Sequence, residues 1–554
     1  MNSEYNTYTF IWPSYRLKNF ERDLGVLEVQ SLFANRVSSR RGCLVTRSPK
    51  TVTRETLRNL TSFRKILVSL ENGDSVEVLP DQMLLERAAP LVRMAKTNRD
   101  IDKLFTEINK ISLKKREKQY LMHELHPYKG RYYPQLIKPL LNATAKQGDV
   151  ILDPFCGCGT TLLECYLSRM SSIGVDLNPI AFFISKVRMK CIKMKNEQLR
   201  RTVERLLKRC RRDVTIFRNR RDHRTLDQFT QINALQIDRI KKEVPHIPNI
   251  HKWFSEGVIE ELMVIVDNIM QIEDEDERDF CALALSSIVK RVSNWDPEQV
   301  RQRLLKKPRE NVLVFEIFER QLKKFYLIIY AYSKIRSKLH IEPECFSEVH
   351  LHDSRHLEFI EDDSVDAVVT SPPYATALSY IDTDRLPMVV LGLMEYRSKE
   401  KLKKIMIGER DITPKDRDRL EDEFLNQYDS LLLPRMAKET IRKILEANRQ
   451  ESVGFRRKNK ASTLYRYFKG MRECLLEMKR VLKEGGYCSI IIGSNRTKAG
   501  GTEVVRIQTH DILAEMAKSI GFKHVKTIPM APTSPYMIHV NNRINDEYVL
   551  IFQL

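Results

Sequence analysis

Ile151–Cys165 reads ILDPFCGCGTTLLEC. An apolar strand (Asp149-Val150-Ile151-Leu152) runs into a glycine-rich loop, and Thr160 opens an apolar helix that lasts to Arg169. Ser172-Ile173-Gly174-Val175 follows as a second strand. Strand, loop, helix and strand at this spacing form a βαβ unit, which commits the chain to a parallel sheet. Gly157 and Gly159 permit backbone conformations and ligand approach that a Cβ would hinder. The loop lies at the carboxyl end of a parallel strand, where open α/β sheets bind ligands. No Gly-Lys-Ser/Thr follows, so it is not a phosphate-cradling P-loop. Leu162 stands where Gly-x-Gly-x-x-Gly needs its last glycine.

The pattern extends outward from there. Strand two ends in Asp176, placed to accept hydrogen bonds from ribose hydroxyls. After Asp176 the sheet pattern stops. From Ile184 to about Ser337 the chain reads as successive helices, broken at Pro245, Pro248 and Pro297. It resumes with Glu348–Leu351, followed by Asp353, and with Val365–Val369. That buried strand ends in Thr370-Ser371-Pro372-Pro373-Tyr374, a rigid corner poor in N–H donors. A second helical, charged stretch runs from about 382 to 459. Helix 464–482, a Gly485-Gly486 turn, strand 487–492, helix 510–520 and strands 524–528 and 548–552 close the chain. Upstream, strands 7–11 and 65–70 and helix 20–33 form a small α+β module, joined by a helical link (99–116). The expected organisation is an accessory module at 1–95 and a catalytic domain at 119–554, with helical insertions at about 190–345 and 382–459.

Composition narrows the partners. The net charge of +21 favours a polyanion. The densest bases lie between Arg188 and Arg221, and this run is expected to touch nucleic acid. No apolar run reaches the roughly 20 residues that span a bilayer. The ten scattered cysteines and an N-terminus without a signal pattern point to a reducing, cytoplasmic setting. Cys156, Cys158 and Cys165 lack a matching Cys/His pair, so no metal is expected. Trp253-Phe254 and Arg291–Trp295 are read as buried helix packing, and His352 as packing beside its strand end.

Three acids at three strand ends, beside a glycine loop without a phosphate anchor, suit an adenosine cofactor that carries no phosphate; S-adenosylmethionine fits. The ordered set Asp153-Pro154-Phe155-Cys156-Gly157-Cys158-Gly159-Thr160, Asp176, Asp353 and Ser371-Pro372-Pro373-Tyr374 resembles the amino-directed DNA methyltransferases of the Ser-Pro-Pro-Tyr type. His126-Pro127-Tyr128 to Pro134, Leu482–Tyr487 and Asn545–Leu550 share the resemblance, which covers most of 119–554. It implies a Rossmann-like, seven-stranded, mostly parallel sheet with one antiparallel strand near the C-terminal edge. It implies that Phe155, Gly157, Gly159 and Thr160 form the cofactor loop. Asp153 would face the methionine amine, Asp176 the ribose and Asp353 the adenine amine. Asp353 lies about 175 residues beyond Asp176, far more than the family spacing.

The corner would do the chemistry. Exocyclic base amines are poor nucleophiles, because the nitrogen lone pair is delocalised into the ring. Fixed acceptors on both hydrogens pull that nitrogen toward sp³, and Ser371 with the Pro372-Pro373 carbonyls offers such acceptors. Tyr374 offers a stacking face for a base flipped from double-stranded DNA. The resemblance implies methylation of cytosine N4 within a specific sequence, in a restriction-modification or defence setting with a restriction or defence protein as partner. Adenine N6 methylation of DNA and guanosine N2 methylation of tRNA are the alternatives. Cytosine C5 methylation is set aside, because the chain lacks its usual Pro-Cys dipeptide. A binding protein with a dead core is set aside, because loop and corner are both intact.

Overall fold

The computed structural model describes residues 5–33, 37–40, 42–48, 52–70, 72–222, 247–297, 303–341, 345–375, 379–428, 430, 432–449, 453–500, 503–530 and 546–554. The expected break at Pro245 and residue 545 of the closing motif lie outside the described residues.

Two sheets organise the chain. The first strands are β1 (Asn6–Ile11), β2 (Ser38–Arg40), β3 (Cys43–Ser48), β4 (Lys65–Ser69) and β5 (Ser75–Val78). They form a five-stranded antiparallel sheet in the order β2-β3-β1-β4-β5. Alternation in β1 buries Tyr8 and Phe10 on one face. Helix Asn19–Leu32 covers that face, and Gly25 lets it come close: a Cβ there would sit 2.7 Å from the Trp12 ring. Phe20 and Leu24 of this helix instead join a cluster with Leu136, Ile137, Leu140 and Ile151. The N-terminal unit therefore shares a core with the larger sheet.

That sheet contains β6 (Val150–Asp153), β7 (Ser171–Asp176), β8 (Ser347–Leu351), β9 (Val365–Thr370), β10 (Leu482–Ala499), β11 (Glu503–Ile507), β12 (Lys523–Met530) and β13 (Asp546–Gln553). Its order is β12-β13-β10-β9-β6-β7-β8, with β11 paired to β10. β8, β7, β6, β9 and β10 are mutually parallel, and β13 runs antiparallel between β10 and β12. The expected seven strands are present in this arrangement, and β11 is an addition. Ile151, Leu152, Ala367, Val368 and Val369 are fully buried. Continuous apolar runs are what a parallel sheet covered on both faces requires.

Three local expectations change. The link 99–116 is helical only to Thr106, with a 3-10 turn at Ile108–Lys110. Beyond it the chain is irregular and delivers Arg116 to Glu21 (2.9 Å) and Glu86 (3.6 Å). Gly485-Gly486 is not a free turn. β10 begins directly at Leu482, and the glycines form a bulge against β9, where a Cβ on Gly486 would lie 2.9 Å from the Asp366 carbonyl. β10 also runs on to Ala499, and its end turns back as β11.

The first insertion is helical as expected: 179–191, 196–222, 250–253, 256–270, 275–292 and 314–339. Its basic run, expected to contact nucleic acid, pairs in part with acids of the protein, while Arg201, Arg205, Lys208, Arg211 and Arg212 stay exposed. Arg218 bridges Glu261 and Glu316, Arg211 meets Glu319, Arg212 meets Asp213, and Arg200 meets Glu197 and Glu204. Phe254 and Trp295 are buried, and the Trp253 and Trp295 rings lie 6.0 Å apart, as the packing reading expects. Among the described residues no helix is long and apolar enough to cross a membrane.

Candidate active site

Parallel strands bring their carboxyl ends to one edge. Asp153 ends β6, Asp176 ends β7, Asp353 follows β8 and Ser371 follows β9, so residues about 220 positions apart converge.

The glycine loop is shaped by two positive φ angles, +52° at Gly157 and +77° at Gly159. At Gly159 a Cβ would lie 2.9 Å from Ser185 Cβ on helix Pro179–Cys191, so this position holds loop against helix. Phe155 is half-buried, and Thr160 is buried at the start of its helix. Asp176 receives Gly157 N–H on one oxygen (2.9 Å) and Asn178 N–H on the other (2.8 Å). Each oxygen keeps a lone pair open. Two vicinal hydroxyls match that acceptor set, so the residues present fit the ribose of S-adenosylmethionine.

Asp153 is buried and already holds its neighbours together. Thr370 donates to it at 2.6 Å and Phe155 N–H at 3.1 Å, with Thr161 as a third donor. It thereby joins the loop to the strand that carries the corner. Burial pushes both the Asp153 and the Asp176 carboxyls up to about 6. Above pH about 6 Asp176 is ionised and accepts; below it the carboxyl is protonated and loses an acceptor. Cofactor affinity is expected to fall as pH drops through about 6, and Asp176→Asn to bind weakly with a flatter profile. Calorimetric titration of wild type and variant across this range checks it; parallel profiles would remove Asp176 from the contact.

Asp353 is engaged by its own neighbour. Arg355 donates to both carboxylate oxygens at 2.6–3.2 Å. Burial alone would raise this carboxyl, but the Arg355 hydrogen bonds outweigh it and hold it below its ordinary value. The Ser354 hydroxyl donates to the Pro154 carbonyl, which seats this segment against the glycine loop. His350 and His352 pack on Phe359, with centroids 4.6 and 5.2 Å away.

At the corner, Ser371 is 8% exposed and its hydroxyl donates to the Ile491 carbonyl of β10 at 2.6 Å. With that proton committed, the lone pairs of Oγ remain as acceptors. Tyr132 donates to the Ser371 carbonyl (3.4 Å), and Tyr374 donates to Glu547 Oε1 (3.2 Å). Burial and then the Glu547 carboxylate push the Tyr374 phenol above its ordinary value, so it stays a donor. The Tyr128 ring lies against Gly157: a Cβ there would be 3.5 Å from its edge. The upstream segment 126–134 thus lies at both loop and corner.

Several participants carry no sequence signal of their own. Gly408, in the second insertion, has φ +82°, and a Cβ there would meet Pro373 Cβ at 2.6 Å. It backs the Pro-Pro corner from a stretch that reads only as charged helix. Asn495 of β10 donates to the Ala375 carbonyl. Arg188 is wholly buried and donates to Cys158 O (2.7 Å), His123 O (3.3 Å), His126 O (3.2 Å) and Leu125 O. By composition it belongs with the bases expected to face nucleic acid. Its place is between the glycine loop and the upstream segment.

The sequence matches the DNA methylase family over residues 53–186 and 365–553. The chain is 24% identical to the type II methyltransferase M.MvaI of Kocuria varians, over 77% of this chain and 88% of that protein. It is 22% identical to M.BsoBI of Geobacillus stearothermophilus, over 74% of this chain and 80% of that protein. A shorter match, 40% identical to M.MjaII of Methanocaldococcus jannaschii, covers 14% of this chain and 15% of that protein. The family match spans more than half of the residues and takes in both the glycine loop and the Ser-Pro-Pro-Tyr corner; the chain belongs to the DNA methylase family, whose amino-directed enzymes take their methyl group from S-adenosylmethionine.

Proposed function

We propose that this chain methylates the N4 amine of cytosine within a specific sequence of double-stranded DNA. The observation that carries amine methylation is the Ser371 hydroxyl, whose proton is committed to Ile491 O and whose lone pairs are thereby left to accept; serine rather than Asp or Asn at this corner position favours cytosine. S-adenosylmethionine supplies, when bound, an electrophilic methyl on a sulfonium.

The residues divide the remaining work. Asp176 takes the ribose hydroxyls, and Phe155, Gly157, Gly159 and Thr160 form the wall of the cofactor site. Asp153 fixes that wall to β9 while presenting negative charge toward the methionine end. Asp353 reaches the adenine amine only by sharing its carboxylate with Arg355. On the substrate side, the flipped base stacks on Tyr374, a contact worth roughly 1–3 kcal/mol. Its amine donates one hydrogen to Ser371 Oγ and the other to a carbonyl of Pro372 or Pro373. Those bonds localise the nitrogen lone pair and aim it. Preorganised polar groups of this kind act with little reorganisation; the loss of one oxyanion-hole donor, about 2.7–4 kcal/mol, sets the scale.

Nucleoside analysis of duplex DNA after reaction with labelled methyl donor tests the reading. The expected product is N4-methylcytosine. N6-methyladenine would overturn the base assignment, and methylation of tRNA guanosine without DNA product would overturn the substrate.

A further inference from the structure

A further set of bases lies near the corner. β10 and β11 extend from the sheet as a hairpin, with Arg496 directly opposite Arg506 and Lys498 opposite Val504. Arg496, Lys498, Val504 and Arg506 are exposed on one face. Ala499, Val505 and Ile507 are buried on the other. Lys498 and Arg506 make no ion pair among the described residues.

A second basic group is tied to the hairpin tip. Residues 455–458 read Phe-Arg-Arg-Lys, with Phe455 50% exposed. Arg456, Arg457 and Lys458 also make no ion pair among the described residues. Buried Asn448 joins the two groups: its amide donates to Arg457 O (2.9 Å) and its carbonyl accepts from Gly500 N–H (3.0 Å). At its other end the hairpin is anchored to the corner by Asn495 on Ala375 O. From Asn495 to Ala499 a strand rises about 13 Å. Phosphates along one DNA strand follow at about 3.4 Å per base pair, so this length matches about four base-pair steps.

We propose that the β10–β11 hairpin and the 455–458 turn form a phosphate-binding surface for the duplex DNA that flanks the target base. This rests on the DNA reading above. The surface supplies register on the duplex, since contacts to phosphates position a protein without reading sequence. The aromatic Phe455 sits among its cations and adds a face for sugar or base contact.

The test is the salt dependence of duplex binding, read by fluorescence anisotropy on the full chain, with cofactor affinity measured on each variant as a check of folding. The variants are the triple Arg456→Ala, Arg457→Ala, Lys458→Ala, the double Lys498→Ala, Arg506→Ala, and a control, Arg201→Ala, Lys208→Ala, in the first insertion. Each lost phosphate contact lowers the slope of log K against log salt by about 0.9. The triple variant is expected to lose up to about 2.7 and the double up to about 1.8, with the control unchanged. Unchanged slopes in both test variants, beside salt-dependent wild-type binding, overturn this surface alone. An equal loss in the control overturns it as well, because net charge would then be the whole effect. Wild type without salt-dependent affinity for duplex DNA overturns both this surface and the DNA reading.

Discussion

Ser371→Ala is expected to slow methyl transfer by about 10²–10³-fold in a single turnover while leaving cofactor affinity within about twofold. The hydroxyl is buried and its hydrogen bond goes to Ile491 O of β10, not to the glycine loop. Its removal therefore subtracts an acceptor from the reacting nitrogen and leaves the Asp176 side intact. Tyr374→Phe is the informative companion. It keeps the stacking ring and loses the phenol's bonds to Glu547 and Tyr132, so its fall should be tenfold or less. Rapid-quench transfer of labelled methyl to a duplex containing the target, beside calorimetry with the cofactor, separates the two effects. A loss below tenfold for Ser371→Ala would remove the hydroxyl from the chemistry. A loss of cofactor affinity equal to the loss of rate would make its role structural.

The second large effect is on stability. Arg188→Ala is expected to cost about 3–5 kcal/mol in chemical denaturation. The guanidinium is fully buried and serves four main-chain carbonyls, at Cys158, His123, Leu125 and His126. Each carbonyl stranded without a donor costs about 1–3 kcal/mol, and partial relaxation keeps the sum below simple addition. Cys158 lies in the glycine loop, so cofactor affinity should fall too, unlike in Ser371→Ala. Arg188→Lys should recover only part of the loss. One ammonium has three donors and no planar fork, and it cannot reach the same four acceptors. A change under about 1 kcal/mol for Arg188→Ala would show that the carbonyls find other donors.

Arg188 also marks where a reading by composition fails. Along the chain it stands in a run of bases, and a run of bases is usually solvated. Its neighbours Arg211 and Arg218 meet acids drawn from distant helices, Glu319 for the first and Glu261 with Glu316 for the second. Charge in a sequence is counted without its partners, and partners more than forty residues away are set by packing. The exposed bases of the hairpin were hidden for the opposite reason. Arg496 and Lys498 are separated from Arg506 by a turn of small and polar residues, and only antiparallel pairing brings the three to one face.

What the sequence determined by itself was the sheet and the loop-bearing ends of its strands. Apolar runs such as Val365–Val369, the glycines of 157–159 and the acids at 153 and 176 are local signals, because backbone φ, strand burial and strand order act within a few residues or follow from handed βαβ connections. The tertiary structure alone decided how those ends are held. Arg355 taking up Asp353, Tyr132 and Ile491 fixing Ser371, Gly408 backing Pro373 and Arg188 bracing the loop all join residues that the chain keeps apart. A buried donor takes whichever acceptor folding leaves within about 3 Å, and that distance is set by the packing of whole elements rather than by their order.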